Sequence, residues 1–71
     1  MERLGTVTSE TSAVAVVDAE SATPEIMDRR VYNQGLDHVG KAVDLIGSVE
    51  HPYVVVEKNG RIDRGSKLYL R

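Results

Sequence analysis

Residues 39–56 read VGKAVDLIGSVEHPYVVV, two apolar runs on either side of the polar stretch Gly47-Ser48-Val49-Glu50-His51. The first run has two readings. Val39, Ala42, Val43 and Ile46 fit a helical stripe, while Val39, Val43 and Leu45 fit one face of a strand. Gly40 and Gly47 decide for the strand, because a helix there would carry Gly near both ends with β-branched residues between, whereas a tightly curved strand uses Gly to bend. The second run starts with Pro52, which is tolerated at the first position of a strand, and continues as Tyr53-Val54-Val55-Val56. Gly47 to His51 is then the connecting loop.

Outward from this block the same logic repeats. Leu4–Thr8 predicts a strand, Ser9–Ser12 a polar turn, and Ala13–Val17 a second strand rich in β-branched residues, so the two form a hairpin. From Asp18 to Thr23 the chain is small and polar, a loop that leads into Pro24. Thr23 before Pro24 and Glu25 is placed to cap one helical turn through Met27, the alternative being plain loop. Arg30-Val31-Tyr32 enters Asn33-Gln34-Gly35, where Gly accommodates a positive φ, and the chain returns through His38–Ile46 as a second hairpin. Asn59-Gly60 marks a further turn. Lys67-Leu68-Tyr69-Leu70 alternates as a last strand with Leu68 and Leu70 inward. Five or six short strands with little helix predict an all-β, six-stranded barrel spanning residues 1–71 as one domain, since an open sheet of this size would leave reactive edges.

A chain of 71 residues hides only roughly 60% of its unfolded surface on folding. Nearly every apolar side chain is committed to the core, and a walled catalytic cleft is hard to build; a binding surface is easier. There is no Cys, which excludes disulfides, thiolate nucleophiles and zinc-thiolate sites. The apolar runs fall short of the roughly 20 residues a membrane span needs, and the first residues show no basic-then-apolar signal pattern. The expectation is a soluble cytoplasmic protein with no membrane or small-molecule partner and no cofactor. A net charge of −2 and a pI near 5.6 argue against a surface that tracks a phosphate backbone, so any RNA is expected to be held by a partner.

Individual chemical candidates are weak. Tyr32, Tyr53 and Tyr69 are the sole aromatic platforms in a chain without Phe or Trp, and such residues more often anchor cores or interfaces than bases. His38 and His51 lack the companions of a metal site and read as surface or turn histidines, His51 beside the prospective partner surface. Asp44 has no second acid or base nearby in the chain and reads as structural or as an interface hydrogen bonder. Lys58, Arg61 and Arg64 cluster around Asn59-Gly60, but Glu57 and Asp63 dilute them into a solvated turn. No catalytic or metal-ligating residue is nominated.

The 39–56 block resembles the signature of the Gar-type core domain of the archaeal H/ACA pseudouridylation ribonucleoprotein. In that signature a Val-Gly and a Val-Asp step lead into an apolar-Gly-Pro-Val turn, followed by Pro-Tyr and an alternating Val strand. Arg3-Leu4-Gly5-Thr6-Val7 and Gly65-Ser66-Lys67-Leu68-Tyr69 are similar to the family's two ends, so the resemblance covers nearly the whole chain. Ser48 stands where the family usually has Pro, and Ile46 where Phe is common. The resemblance implies a six-stranded, translation-protein-like barrel that docks on a dyskerin-type pseudouridine synthase. It engages a mobile substrate-holding loop there and promotes substrate loading and product release in rRNA processing. Guide and substrate RNA would be reached only through the complex. The Gly-Arg-rich flanks of eukaryotic members are not seen, which fits an archaeal member.

The residues expected to meet the partner are Val39, Gly40, Ile46, Gly47, Val49, Pro52, Tyr53 and Val54. Gly40 and Gly47 leave backbone bare for a close approach, the apolar side chains form one patch, and Tyr53 is a natural anchor of the kind worth about 2 kcal/mol or more. The bland alternative is that the aliphatic members simply fill the barrel. Two further readings share the fold: a PRC-type barrel of ribosome maturation, similar over Arg30–Tyr32, Gly35 and Val39–Asp44, and an H/ACA assembly chaperone. Gly47, Val49, Pro52 and Tyr53 occurring together separate the Gar-type core from the PRC-type barrel. An enzyme would need a nucleophile or a paired acid and base.

Overall fold

In the computed structural model, which describes residues 2–20 and 22–71, alternation of apolar and polar residues is translated directly into an inside and an outside. Strand β2 (Val14–Ala19) buries Ala15, Val17 and Ala19 and leaves Val14, Val16 and Asp18 half-exposed. Strand β5 (Pro52–Lys58) does the same with Pro52, Val54 and Val56 inward and Tyr53 and Val55 outward. The remaining strands are β1 (Glu2–Glu10), β3 (Arg30–Tyr32), β4 (His38–Gly47) and β6 (Lys67–Leu70). They close into a six-stranded barrel in the order β1-β2-β5-β4-β3-β6, with every pair antiparallel. The expected all-β barrel is therefore the observed one, and closure gives every strand a neighbour on both sides.

A barrel of this size has a narrow interior, and the residues match it. Ala15, Ala19 and Ala42 alternate with Leu4, Val17, Val31, Val56 and Leu68, so small side chains make room for large ones across the lumen. Ile26 and Ile62, from the connections, complete the buried cluster. Tight curvature is taken up at irregularities in the ladders of β1, β3 and β4, including one between Ala42 and Asp44 that displaces Val43. That bulge changes the reading of β4. Val43, expected on one face with Val39 and Leu45, is 39% exposed, while Val39 and Ala42 are buried.

Other departures are local. β1 and β2 run longer than expected, with Asp18 and Ala19 still in the ladder against Thr6 and Gly5, so the predicted loop starts later. Ser21, within that loop, lies outside the described residues, as does Met1. The β1–β2 turn is closed by Thr11, whose Oγ1 accepts from the amides of Ala13 at 3.2 Å and Val14 at 3.1 Å. Pro24–Ile26 forms a single 3-10 turn, as one reading of the sequence allowed, but the Thr23 side chain does not cap it. In the β3–β4 turn the positive φ falls on Leu36 (66°) rather than Gly35. There Asn33 supplies its carbonyl to the Leu36 amide at 3.0 Å and its Oδ1 to the Asp37 amide at 3.0 Å, so side-chain hydrogen bonding rather than glycine sets the turn.

Candidate docking groove

The candidate site is built where β4 ends. Gly47 adopts φ 88°, a conformation that disfavours any side chain, and a Cβ there would lie 2.7 Å from the His51 carbonyl oxygen. The chain then turns sharply over Ser48–His51, and Ser48 closes the turn by accepting from the His51 amide at its carbonyl (3.2 Å) and at its Oγ (3.1 Å). Thus Ser48 fixes the turn by hydrogen bonding. Val49 rides at the tip and is 99% exposed. A fully solvated aliphatic side chain there does nothing for the core.

Beneath the tip lies a shallow groove of about 410 Å³, with Leu45, Ile46, Gly47, Val49 and Pro52 along one side and Ala22, Thr23 and Pro24 along the other. The second wall reaches this position because the segment after the 3-10 turn joins the β4 ladder: the Asp28 amide donates to the Ala42 carbonyl at 2.8 Å and the Ala42 amide to the Arg29 carbonyl at 3.0 Å. Tyr53 lies beside the groove on the outer surface, as the Cα partner of both Ile46 and Asp18. The His51 ring stands edge-on to it at 5.0 Å, and the His51 Nε2 is 3.6 Å from an Asp18 carboxylate oxygen. Both partners of that pair are exposed, so it contributes little. Among the described residues no polar or charged side chain is buried. What this arrangement can do chemically is bury apolar surface against another molecule.

The predicted site residues divide. Ile46, Gly47, Val49 and Pro52 line the groove and Tyr53 borders it. Val39 and Val54 do not belong to it: they are 4% and 0% exposed, on the inward side of their strands, and are core residues. Gly40 is also interior, and its bareness serves the barrel, since a Cβ would lie 2.5 Å from the Glu57 carbonyl oxygen and 2.6 Å from Val56 Cγ1. The close approach at Gly40 is by the neighbouring strand rather than by a partner. Ala22, Pro24 and Leu45 were missed as site residues; the first two come from a segment remote in sequence, and only barrel closure brings them near.

Three of the other charged candidates have partners within the chain. Asp44 accepts from the Leu45 amide at 2.8 Å. Lys58 reaches Glu10 and the Thr11 carbonyl, each at 2.8 Å, and Arg61 pairs with Asp63 at 3.1 Å. Against known proteins, the chain matches neither a family model nor a curated sequence.

Proposed function

We propose that the protein is a non-catalytic docking subunit of the Gar type, which seats its β4–β5 groove on the dyskerin-type catalytic subunit of an archaeal H/ACA pseudouridine synthase. Held there, it assists substrate loading and product release in rRNA pseudouridylation. The observation that carries this reading is the pairing of a fully exposed Val49 with a half-exposed Ile46 (43%) at the rim of an apolar groove. Apolar side chains so placed gain free energy only when another surface covers them. The resemblance of residues 39–56 to the Gar-type signature, with Gly47, Val49, Pro52 and Tyr53 together at this groove, supports the choice of partner.

The test is co-elution of the purified chain with an archaeal dyskerin-type synthase on a sizing column. The wild-type chain is expected to travel with the synthase, while Ile46→Asp and Tyr53→Ala weaken the complex and keep a wild-type circular dichroism spectrum. Retention of both variants at wild-type affinity would show that the groove is not the docking surface, and failure of the wild type to bind would remove this choice of partner.

A further inference from the structure

The opposite side of the barrel has a different chemistry. β3, β6 and the first residues of β4 (His38–Lys41) contain no acidic residue. Their outward positions are Arg30 and Tyr32 on β3, His38 and Lys41 on β4, and Lys67 and Tyr69 on β6; Arg30, His38, Lys41 and Lys67 are exposed and the two tyrosines half-buried. The register sets them in rows. Tyr69 faces Tyr32, which faces His38 with ring centroids 5.7 Å apart, and Arg30 faces Lys41.

Arg30 opposite Lys41 is unfavourable for the sheet, since like charges at directly paired positions repel. Neither has a carboxylate within ion-pair distance among the described residues, nor does Lys67. A cleft of about 310 Å³ opens at this point, lined by Arg30, His38 and Lys41 and also by Asp28 and Glu57, and Glu57 faces Lys41 across the β4–β5 ladder, which ends the cationic strip on that side. Arg30 and Lys67, neither of them in an ion pair among the described residues, stand at the two ends of the row in which Tyr32 faces Tyr69. Cations flanking aromatic rings are the combination used to hold single-stranded nucleic acid, phosphates on the cations and bases on the rings.

We propose that the β3–β6 face binds single-stranded RNA directly, with bases stacked on Tyr32 and Tyr69 and phosphate held by Arg30, Lys41 and Lys67. The half-buried rings are held in place by the sheet, so stacking costs little side-chain freedom. The net charge of the whole chain conceals this face, whose bordering acids, Asp28 and Glu57, lie at its Lys41 edge and away from the row of Tyr32 and Tyr69. The site is independent of the docking groove, and its test uses the free chain and RNA alone, so either idea can fail without the other.

The experiment is fluorescence anisotropy of a labelled oligouridylate of about 12 nucleotides, a length that spans one small binding face. With about three phosphates neutralised, raising salt from about 50 to about 200 mM is expected to weaken binding roughly twenty-fold. Tyr32→Leu and Tyr69→Leu should each cost about ten-fold while Tyr→Phe at either position is neutral, because the ring rather than the hydroxyl stacks. The double change Arg30→Glu with Lys67→Glu removes binding. Arg30→Glu alone leaves the melting temperature unchanged or higher, because it converts a repulsive cross-strand pair into an attractive one. Three results would overturn the proposal: no binding by the wild type at low salt, equal binding by the Tyr→Leu variants, or displacement of the RNA by polyglutamate at equal charge concentration.

Discussion

The outer surface of this barrel has two sides made by the same strand alternation and filled in opposite ways. Across β2, β5 and the second half of β4 the outward residues include Val16, Asp18, Asp44, Ile46, Tyr53 and Val55, apolar or acidic, ending at a groove with a bare valine on its rim. Across β3, β6 and the start of β4 they are Arg30, Tyr32, His38, Lys41, Lys67 and Tyr69, cationic or aromatic. Strand β4 belongs to both, and the bulge at Val43 sits where one character gives way to the other. A net charge of −2 averages the two and describes neither. In a domain this small, where the core takes one residue in two along each strand, recognition is left to the outward half, and separating its chemistries by side gives one chain two surfaces.

The largest effect tests what the two sides share. Leu68 is fully buried, and Leu68→Ala is expected to cost about 2–5 kcal/mol. That is about half of the total stability of about 4–10 kcal/mol for a chain of this length, so urea denaturation should show a midpoint well below the wild-type value, and both surfaces should be lost together at the lower urea concentration. Next comes the contrast itself. Val49→Asp is expected to weaken synthase binding by about 2 kcal/mol, the scale of an interface hot spot, with no change in folding stability. Arg30→Glu leaves synthase binding intact. Titrating both variants against the synthase by calorimetry separates the sides, and equal loss in the two would merge them.

A smaller effect is expected at the turn that shapes the groove. Gly47→Ala forces a side chain into a positive φ and toward the His51 carbonyl, at a cost of about 1–2 kcal/mol. It should lower the melting temperature and synthase affinity together. Smallest is Ser48→Ala, which removes the Oγ acceptor of the His51 amide and should cost about 0.5–1 kcal/mol in stability, measured the same way.

The order of these effects follows what the sequence exposed and what it hid. Strands with strict alternation, such as Val54-Val55-Val56 and Lys67–Leu70, were legible because a period of two assigns inside and outside without further information. So was the turn after Gly47, since a glycine and a proline bracket a short stretch without strand alternation. The bulge at Val43 was not legible, because one extra residue resets the alternation and is specified by the pairing with β5 rather than by β4 itself. A second irregularity, where β3 pairs with β4, turns both Val39 and Gly40 inward, while Val54 lies on the inward side that the alternation of β5 itself assigns. The opposition of Arg30 to Lys41, and of Tyr32 to Tyr69, depends on register between strands far apart in the chain, which composition cannot reveal.

The division of the surface is tested most directly by amide NMR shifts of the isotopically labelled chain, titrated separately with unlabelled synthase and with oligouridylate. Shifts confined to residues 45–53 and 22–24 for the synthase, and to 30–32, 38–41 and 67–69 for the RNA, are the predicted result. Perturbation of one common set of residues by both ligands would contradict it.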